Sequence, residues 1–222
     1  MTIQKGEEWG RRSQAESVVT VLRDCDLAEM VKRASEHSSS IQVQAGDTWL
    51  ALGRPHEISP PCETWDLTFD AIHVSAGPLQ HTCFSSIVLR RSWWRGGFLV
   101  GPVWCVSLTG MLRGRNITPR AHANDGVIDV LHVSDTMNIR QRFQAWSRAS
   151  RGDHLPHRGL FVTRTPFVDI ASATNLLLIV DGVRRGNVRN LRVEVVPDAW
   201  RVSVPRDVSA DKGPSGRADT NP

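Results

Sequence analysis

In Pro119-Arg120-Ala121-His122-Ala123-Asn124-Asp125-Gly126-Val127-Ile128-Asp129-Val130 a polar loop ends in Asp-Gly and opens into an apolar run that continues to Val133. Asp-Gly is favourable turn chemistry, and the β-branched residues after it suit a buried strand. The same loop also suits a hard cation. Asp125 offers one carboxylate oxygen and nearby backbone carbonyls could add others, as Mg²⁺ or Ca²⁺ requires. From these residues alone, the turn and the metal loop both stand.

Working outward, the chain on either side reads as short strands separated by turn signals. Upstream, Trp65, Leu67, Phe69, Ile72 and Val74 suggest a pair of strands, bulged near Asp70. Gly77-Pro78 is a turn, and Cys83–Leu89, Phe98–Val100 and Val103–Leu108 are further apolar runs. Between Asp135 and Ser150 the spacing predicts a helix with Ile139, Phe143 and Trp146 on one face. After Pro156, strands are expected at Leu160–Thr163, Phe167–Ile170 and Leu176–Val180, with a turn at Asp181-Gly182. Leu191, Val193 and Val195 alternate with polar residues, as do Trp200, Val202 and Val204; Pro197-Asp198 sits between them at hairpin distance. The expected fold is α+β and mostly β: a two-layer β-sandwich-like domain with one or two helices over 64–205.

A small strand–helix–strand unit is expected over 17–63. Val18–Leu22 reads as a strand, Asp24 or Asp26 can cap a helix carrying Leu27, Met30, Val31 and Ala34, and Ile41-Gln42-Val43 is a second strand running into Gly46-Asp47. Residues 1–16 read as a flexible N-terminus and 206–222 as a disordered tail.

The 222 residues are 40% hydrophobic and 23% charged, which excludes a disordered or fibrous chain. No apolar run reaches membrane-spanning length, and the N-terminus lacks a secretion-signal core, so a cytoplasmic protein is expected. Cys25, Cys62, Cys83 and Cys105 show no CxxC spacing and read as free, buried thiols. All but three of the 27 basic residues are arginine, which favours planar contacts to phosphate or carboxylate. A net charge of +4 is too small to argue nucleic-acid binding.

Three other segments could carry chemistry. Asp181-Gly182-Val183-Arg184-Arg185 is an acidic turn with two arginines, read either as a hairpin rim or as a polar network with Asp181 and a phosphate contact at Arg184 or Arg185. In Asp153-His154-Leu155-Pro156-His157 the two histidines lack further ligands at metal spacing, so a structural loop is expected. In Arg90-Arg91-Ser92-Trp93-Trp94-Arg95, adjacent indoles beside cations suit a lipid–water boundary; alternatively one indole enters the core.

Taken together, PRAHANDGVIDVLHV, RGDHLPH and LLLIVDGVRRG…LRVEVVPDAWRVSVP resemble, in order, the C-terminal domain of bacterial diacylglycerol kinases and sphingosine-kinase-type lipid kinases. The resemblance is good from about Trp104 to Val204. It implies a β-sandwich-like domain that packs against a nucleotide-binding domain, with lipid entering between them. It implies Asp125 as ligand of a structural Mg²⁺, with carbonyls from around His122 and Val127, and a phosphate-facing role for Arg120. Two departures stand out. The family's phosphate-binding GGDGT motif is absent, its nearest echo being Gly46-Asp47-Thr48 followed by Trp49. The family's D-G-E turn places a general base where this chain has Val183, leaving Asp181 as the remaining catalytic candidate.

The resemblance therefore points to a diacylglycerol-kinase-like protein that is non-catalytic on its own. It would bind a lipid, a membrane surface or a partner protein, or a second copy of itself, with Trp93, Trp94 and Arg95 as the lipid contact and no ATP. Such a protein could sit peripherally on the membrane. One alternative is an active lipid kinase using a divergent or borrowed nucleotide domain. Another is a basic β module that binds nucleic acid or an acidic partner through Arg184, Arg185 and Arg189.

Overall fold

The computed structural model describes residues 9–206. Their largest element is one nine-stranded antiparallel sheet, as the alternating apolar pattern requires. In chain order the elements are β1 (Gly10–Ala15), β2 (Val18–Val21), α1 (Leu27–His37), β3 (Ser40–Val43), α2 (Asp47–Ala51), β4 (Cys62–Ala76), β5 (Leu79–Cys83) and β6 (Ser86–Arg90). There follow β7 (Val103–Ser107), β8 (Met111–Leu112), β9 (Arg115–Asn116), β10 (Ile128–Val133), α3 (Ile139–Arg148), β11 (Leu160–Thr165), β12 (Phe167–Val180) and β13 (Val183–Pro205). The strand order is β1-β4-β13-β12-β6-β7-β10-β11, with β5 added to β4.

Strands far apart in that order share one core. Ile72 and Val74 of β4, Ile87 and Leu89 of β6, Ile128 and Val130 of β10, and Leu191 and Val193 of β13 belong to a single buried cluster. A flat sheet could not bring them together, so the sheet folds over on itself into the expected two-layer, sandwich-like arrangement.

The unit made by β2, α1, β3 and α2 is also present, with β2 and β3 paired in parallel. Val21, Leu27 and Val43 pack it onto Phe69, Trp200 and Val202 of the sheet. The N-terminal segment departs from expectation: Gly10–Ala15 is not loose but pairs with Cys62–Leu67 as an edge strand. Nearly all of the expected disordered tail lies outside the described residues.

The expected hairpin at Pro197-Asp198 is not formed. Residues on both sides of it pair with the same strand, Arg192–Val196 with Ser75–Ala71 and Trp200–Pro205 with Phe69–Thr64. Proline lacks a ladder donor, so the chain bulges there instead of reversing. The pair of strands expected around Asp70 is likewise one strand, β4. Asp70 sits opposite the bulge. Its carboxylate accepts from the Asp198 and Gly126 amides at 2.9 Å each, fastening the bulge and the Asp-Gly loop to one point.

Helix α3 begins where expected, with Asn138 and Gln141 forming a reciprocal capping box. Its orientation follows the apolar pattern only in part: Trp146 packs against the core with Ala145 and Ala149, but the other two residues of the expected face do not. Phe143 is 58% exposed and Ile139 also faces outward, whereas Arg142 is 1% exposed. The reason is hydrogen bonding. The Arg142 guanidinium donates to the carbonyls of Met137, Phe98, Gly101 and Ser134, which no apolar side chain could satisfy.

Candidate functional site

In parallel strand–helix units, ligands collect beyond the carboxyl ends of the strands, where helix amides can meet an anion. Here the loop after β2 is Leu22–Asp26, with no glycine, and the loop after β3 leads into α2. The Asp24 carboxylate reaches across and accepts from the amides of Asp47 at 2.7 Å and Thr48 at 3.3 Å. Gly46, at φ +95°, is required here, because a Cβ on it would come within 2.7 Å of Asp24 Oδ2. Gly46-Asp47-Thr48 therefore binds the chain's own carboxylate. Burial pushes the Asp24 carboxyl upward, opposed by these amides. Asp47 in turn accepts from the Arg113 and Gly114 amides at 2.7 Å each, tying the unit to the β8–β9 turn.

Asp181 is similarly engaged. Its carboxylate accepts from the amides of Phe84, Ser85 and Ser86 at 2.9–3.1 Å and from the Cys83 thiol at 3.1 Å. It holds the β12–β13 turn against the β5–β6 corner. Burial raises its pKa while the donors pull it down. Its lone pairs are spent on the fold, so it is an anchor and not a poised base. Arg184 and Arg185 lie at a register shift between β12 and β13, where Arg184 pairs with Ile179 and Gly186 with Leu178, leaving Arg185 as the extra residue. Arg184 lies near Arg90, and Arg185 near His81.

Between the strand–helix unit and the sheet lies a cleft of about 330 Å³. Asp24, Asp47, Arg90, Arg113 and Asp181 line its polar part. Phe98, Cys105, Leu112, Phe143 and Trp146 line its apolar part. Burial pushes the Cys105 thiol up to about 12, consistent with a dry wall. Trp146 and Phe98 meet edge-on at 5.7 Å. Of the four cysteines, Cys83 and Cys105 are buried as expected, whereas Cys25 and Cys62 are half-buried; all four are free.

Neither indole of the Trp93-Trp94 pair enters the core: Trp93 is 70% exposed and Trp94 94%. The short 3₁₀ turn Trp93–Arg95 belongs to the 92–101 loop. Arg142 joins that loop to α3 through the Phe98 and Gly101 carbonyls. The exposed indoles and the outward-facing Phe143 thus sit on two elements stitched together, and Phe143 also borders the cleft.

In the Asp125 loop the carboxylate is engaged from two sides. Asp125 Oδ1 accepts from the Val127 amide at 3.2 Å, and Oδ2 is ion-paired to Arg164 of β11. Arg164 also approaches Asp129, its Nε 3.6 Å from Oδ1. Both Asp129 oxygens and Asn124 Oδ1 are buried without a hydrogen-bond partner. Burial raises Asp129 to about 6, although Arg164 opposes the shift. The family's loop implies a divalent cation, but these residues do not fit one as they stand: a guanidinium already faces the Asp125 carboxylate. Among the described residues, no three His, Cys, Asp or Glu cluster as metal ligands.

The remaining predicted positions are dispersed. Arg120 is exposed in the segment between β9 and β10. His154 is buried, with Nε2 2.9 Å from the Ile117 carbonyl, as suits a structural loop. The fold therefore brings Asp181 to the cleft and sets Arg184 near the cleft-lining Arg90, but leaves Asp125, Arg120 and Arg185 elsewhere. The principal residues missed by sequence reasoning are Asp24 as an amide cap, Arg90 and Arg113 at the cleft, and Arg142. The tandem Arg90-Arg91 beside a double Trp was the one signal that could have found Arg90.

Residues 103–204 match the family model described as the YegS C-terminal NAD kinase beta sandwich-like domain. No curated protein matches the chain. Among solved structures, a diacylglycerol kinase from Bacillus anthracis str. Sterne is similar with a TM-score of 0.56 and 12% identity, over 86% of this chain and 77% of that one. A putative diacylglycerol kinase from the same organism gives a TM-score of 0.59 at 9% identity, over 86% and 79% of the two chains. These likenesses extend the shared fold beyond the matched domain to the strand–helix unit. Residues 103–204 thus match the YegS C-terminal, NAD-kinase-type β-sandwich domain, and the chain shares its fold with structures of diacylglycerol kinases.

Proposed function

We propose that this diacylglycerol-kinase-like protein binds a lipid in the cleft and, on its own, transfers no phosphate to it. The observation that carries this reading is the cleft itself. Its apolar wall is aromatic and dry, while at its polar end the amides of the strand–helix unit are occupied by Asp24. Phosphoryl transfer depends on positioning and neutralising the nucleotide phosphates. Asp24 already occupies the amides that would cradle a nucleotide phosphate, and Val183 supplies no base at the family's Glu position. Trp93, Trp94 and Arg95 are the proposed membrane contact, because exposed indoles beside a cation suit the headgroup boundary.

The test is a radiolabelled ATP assay with mixed lipids, run beside liposome sedimentation and titration with a fluorescent single-chain lipid. No turnover above a blank is expected, together with saturable lipid binding that a bulky substitution at Val88 of β6, which also lines the cleft, abolishes at unchanged melting temperature (Val88→Trp). Turnover in protein free of contaminating kinase would overturn the non-catalytic reading. Sedimentation unaffected by Trp93→Ala plus Trp94→Ala would remove the membrane contact.

A further inference from the structure

We infer that the ligand of this cleft is an anionic amphiphile, a single acyl or alkyl chain ending in a carboxylate or phosphate, whose charged end is held by Arg90 and Arg113. The inference rests on the lipid reading above and adds the chemical class of the headgroup.

The first observation is the pairing of charges. Arg90 and Arg113 both line the polar end of the cleft. Arg23, Arg151, Arg164, Arg192 and Arg206 each have a carboxylate partner. Among the described residues no ion pair is formed by Arg90, Arg113 or Arg184; the Arg90 guanidinium donates only to the Arg91 carbonyl at 2.9 Å. The carboxylates that share the cleft do not compensate them. Asp24, Asp47 and Asp181 are each turned onto backbone amides. The cleft therefore offers free guanidinium donors and few free acceptors, the arrangement that receives an anion.

The second observation is how Arg113 is placed. Arg113 and Gly114 both have positive φ, as a type I′ turn joining β8 to β9 requires. Asp47 fastens that turn to the strand–helix unit by accepting both amides, and this sets Arg113 at the cleft, close to Arg90.

The third is local field. Burial, and then Arg113 and Arg184, push the Arg90 guanidinium below its usual range. An anion beside it would relieve that repulsion, whereas a neutral alcohol would not. The size of the cleft, at the lower end of small-molecule sites, suits one chain better than two.

The test uses the purified full chain and calorimetric titration, below micelle formation, with dodecanoate, dodecyl phosphate and dodecanol. At least one anion should bind about tenfold or more tightly than dodecanol, since charge-assisted hydrogen bonds are the stronger kind. Whichever anion binds more tightly identifies carboxylate or phosphate as the source. Arg90→Gln plus Arg113→Gln should remove that advantage, leave dodecanol affinity unchanged and retain the wild-type melting temperature. The anion affinity of wild type should also fall with salt. Equal binding of all three chains, insensitive to the arginine substitutions, overturns the anionic assignment while the lipid reading stands. Binding of none of the three overturns both.

Discussion

Asp129 carries the sharpest stability test, because burial and ion pairing disagree there. The residue is 1% exposed, neither carboxylate oxygen has a hydrogen-bond partner, and Arg164 lies beyond hydrogen-bonding distance at 3.6 Å. A carboxyl moved from 3.8 to about 6 on folding favours its neutral form by about 3 kcal/mol. The folded state then binds the proton more tightly than the unfolded state. This contribution is complete below about pH 3.8 and is lost as the pH rises through about 6. Asp129→Asn keeps the shape of the side chain and cannot ionise. At pH 8 it should be more stable than wild type by up to about 3 kcal/mol, or about 6–12 °C in melting temperature for a chain of this size. At pH 4 most of that gain should have gone. Denaturant and thermal melts of both proteins between pH 4 and pH 8 provide the comparison. A variant no more stable than wild type at pH 8, or a gain that persists undiminished at pH 4, would refute burial of a poorly compensated carboxylate as the cause.

Three further outcomes are expected. Asp24→Ala should cost about 1–2 kcal/mol by uncapping the Asp47 and Thr48 amides, yet calorimetry with ATP should still give no binding, because the glycine-rich loop is missing. Arg142→Leu should cost at least about 3 kcal/mol in denaturant unfolding by orphaning several carbonyls. Arg142→Lys should not restore it, since an ammonium cannot reproduce the fork. In Arg164→Gln, where Asp125 and Asp129 lose their counter-ion, Mg²⁺ should raise the melting temperature, whereas wild type should respond little. A wild-type response as large as the variant's contradicts Arg164 as the resident counter-ion of this loop.

The sequence by itself determined what local chemistry and short periodicities encode. Alternation in Leu191–Val195 and Trp200–Val204 specified strands that bury one face. The Asp125-Gly126 turn fixed the entry into β10, and the spacing between Asp135 and Ser150 located α3. The ordered motifs after Trp104 pointed to the family that residues 103–204 match. Tertiary structure decided everything that depended on a partner distant in the chain. Pro197-Asp198 could be a hairpin or a bulge, and pairing of both flanks with β4 chose the bulge. Asp125 could face a metal or a cation from the protein, and β11, pairing with β10, brought Arg164 to it. Helix α3 turned its arginine inward because carbonyls from the 92–101 loop and from the turn before the helix needed donors, a demand invisible to hydrophobic periodicity. The cleft combines Asp24, Arg90, Arg113 and Asp181 from four separate segments, and no spacing along one segment can encode their meeting. Periodicity records which side of an element is buried; the fold alone sets which polar groups are buried together, and there desolvation and hydrogen-bond satisfaction dictate each side chain's role.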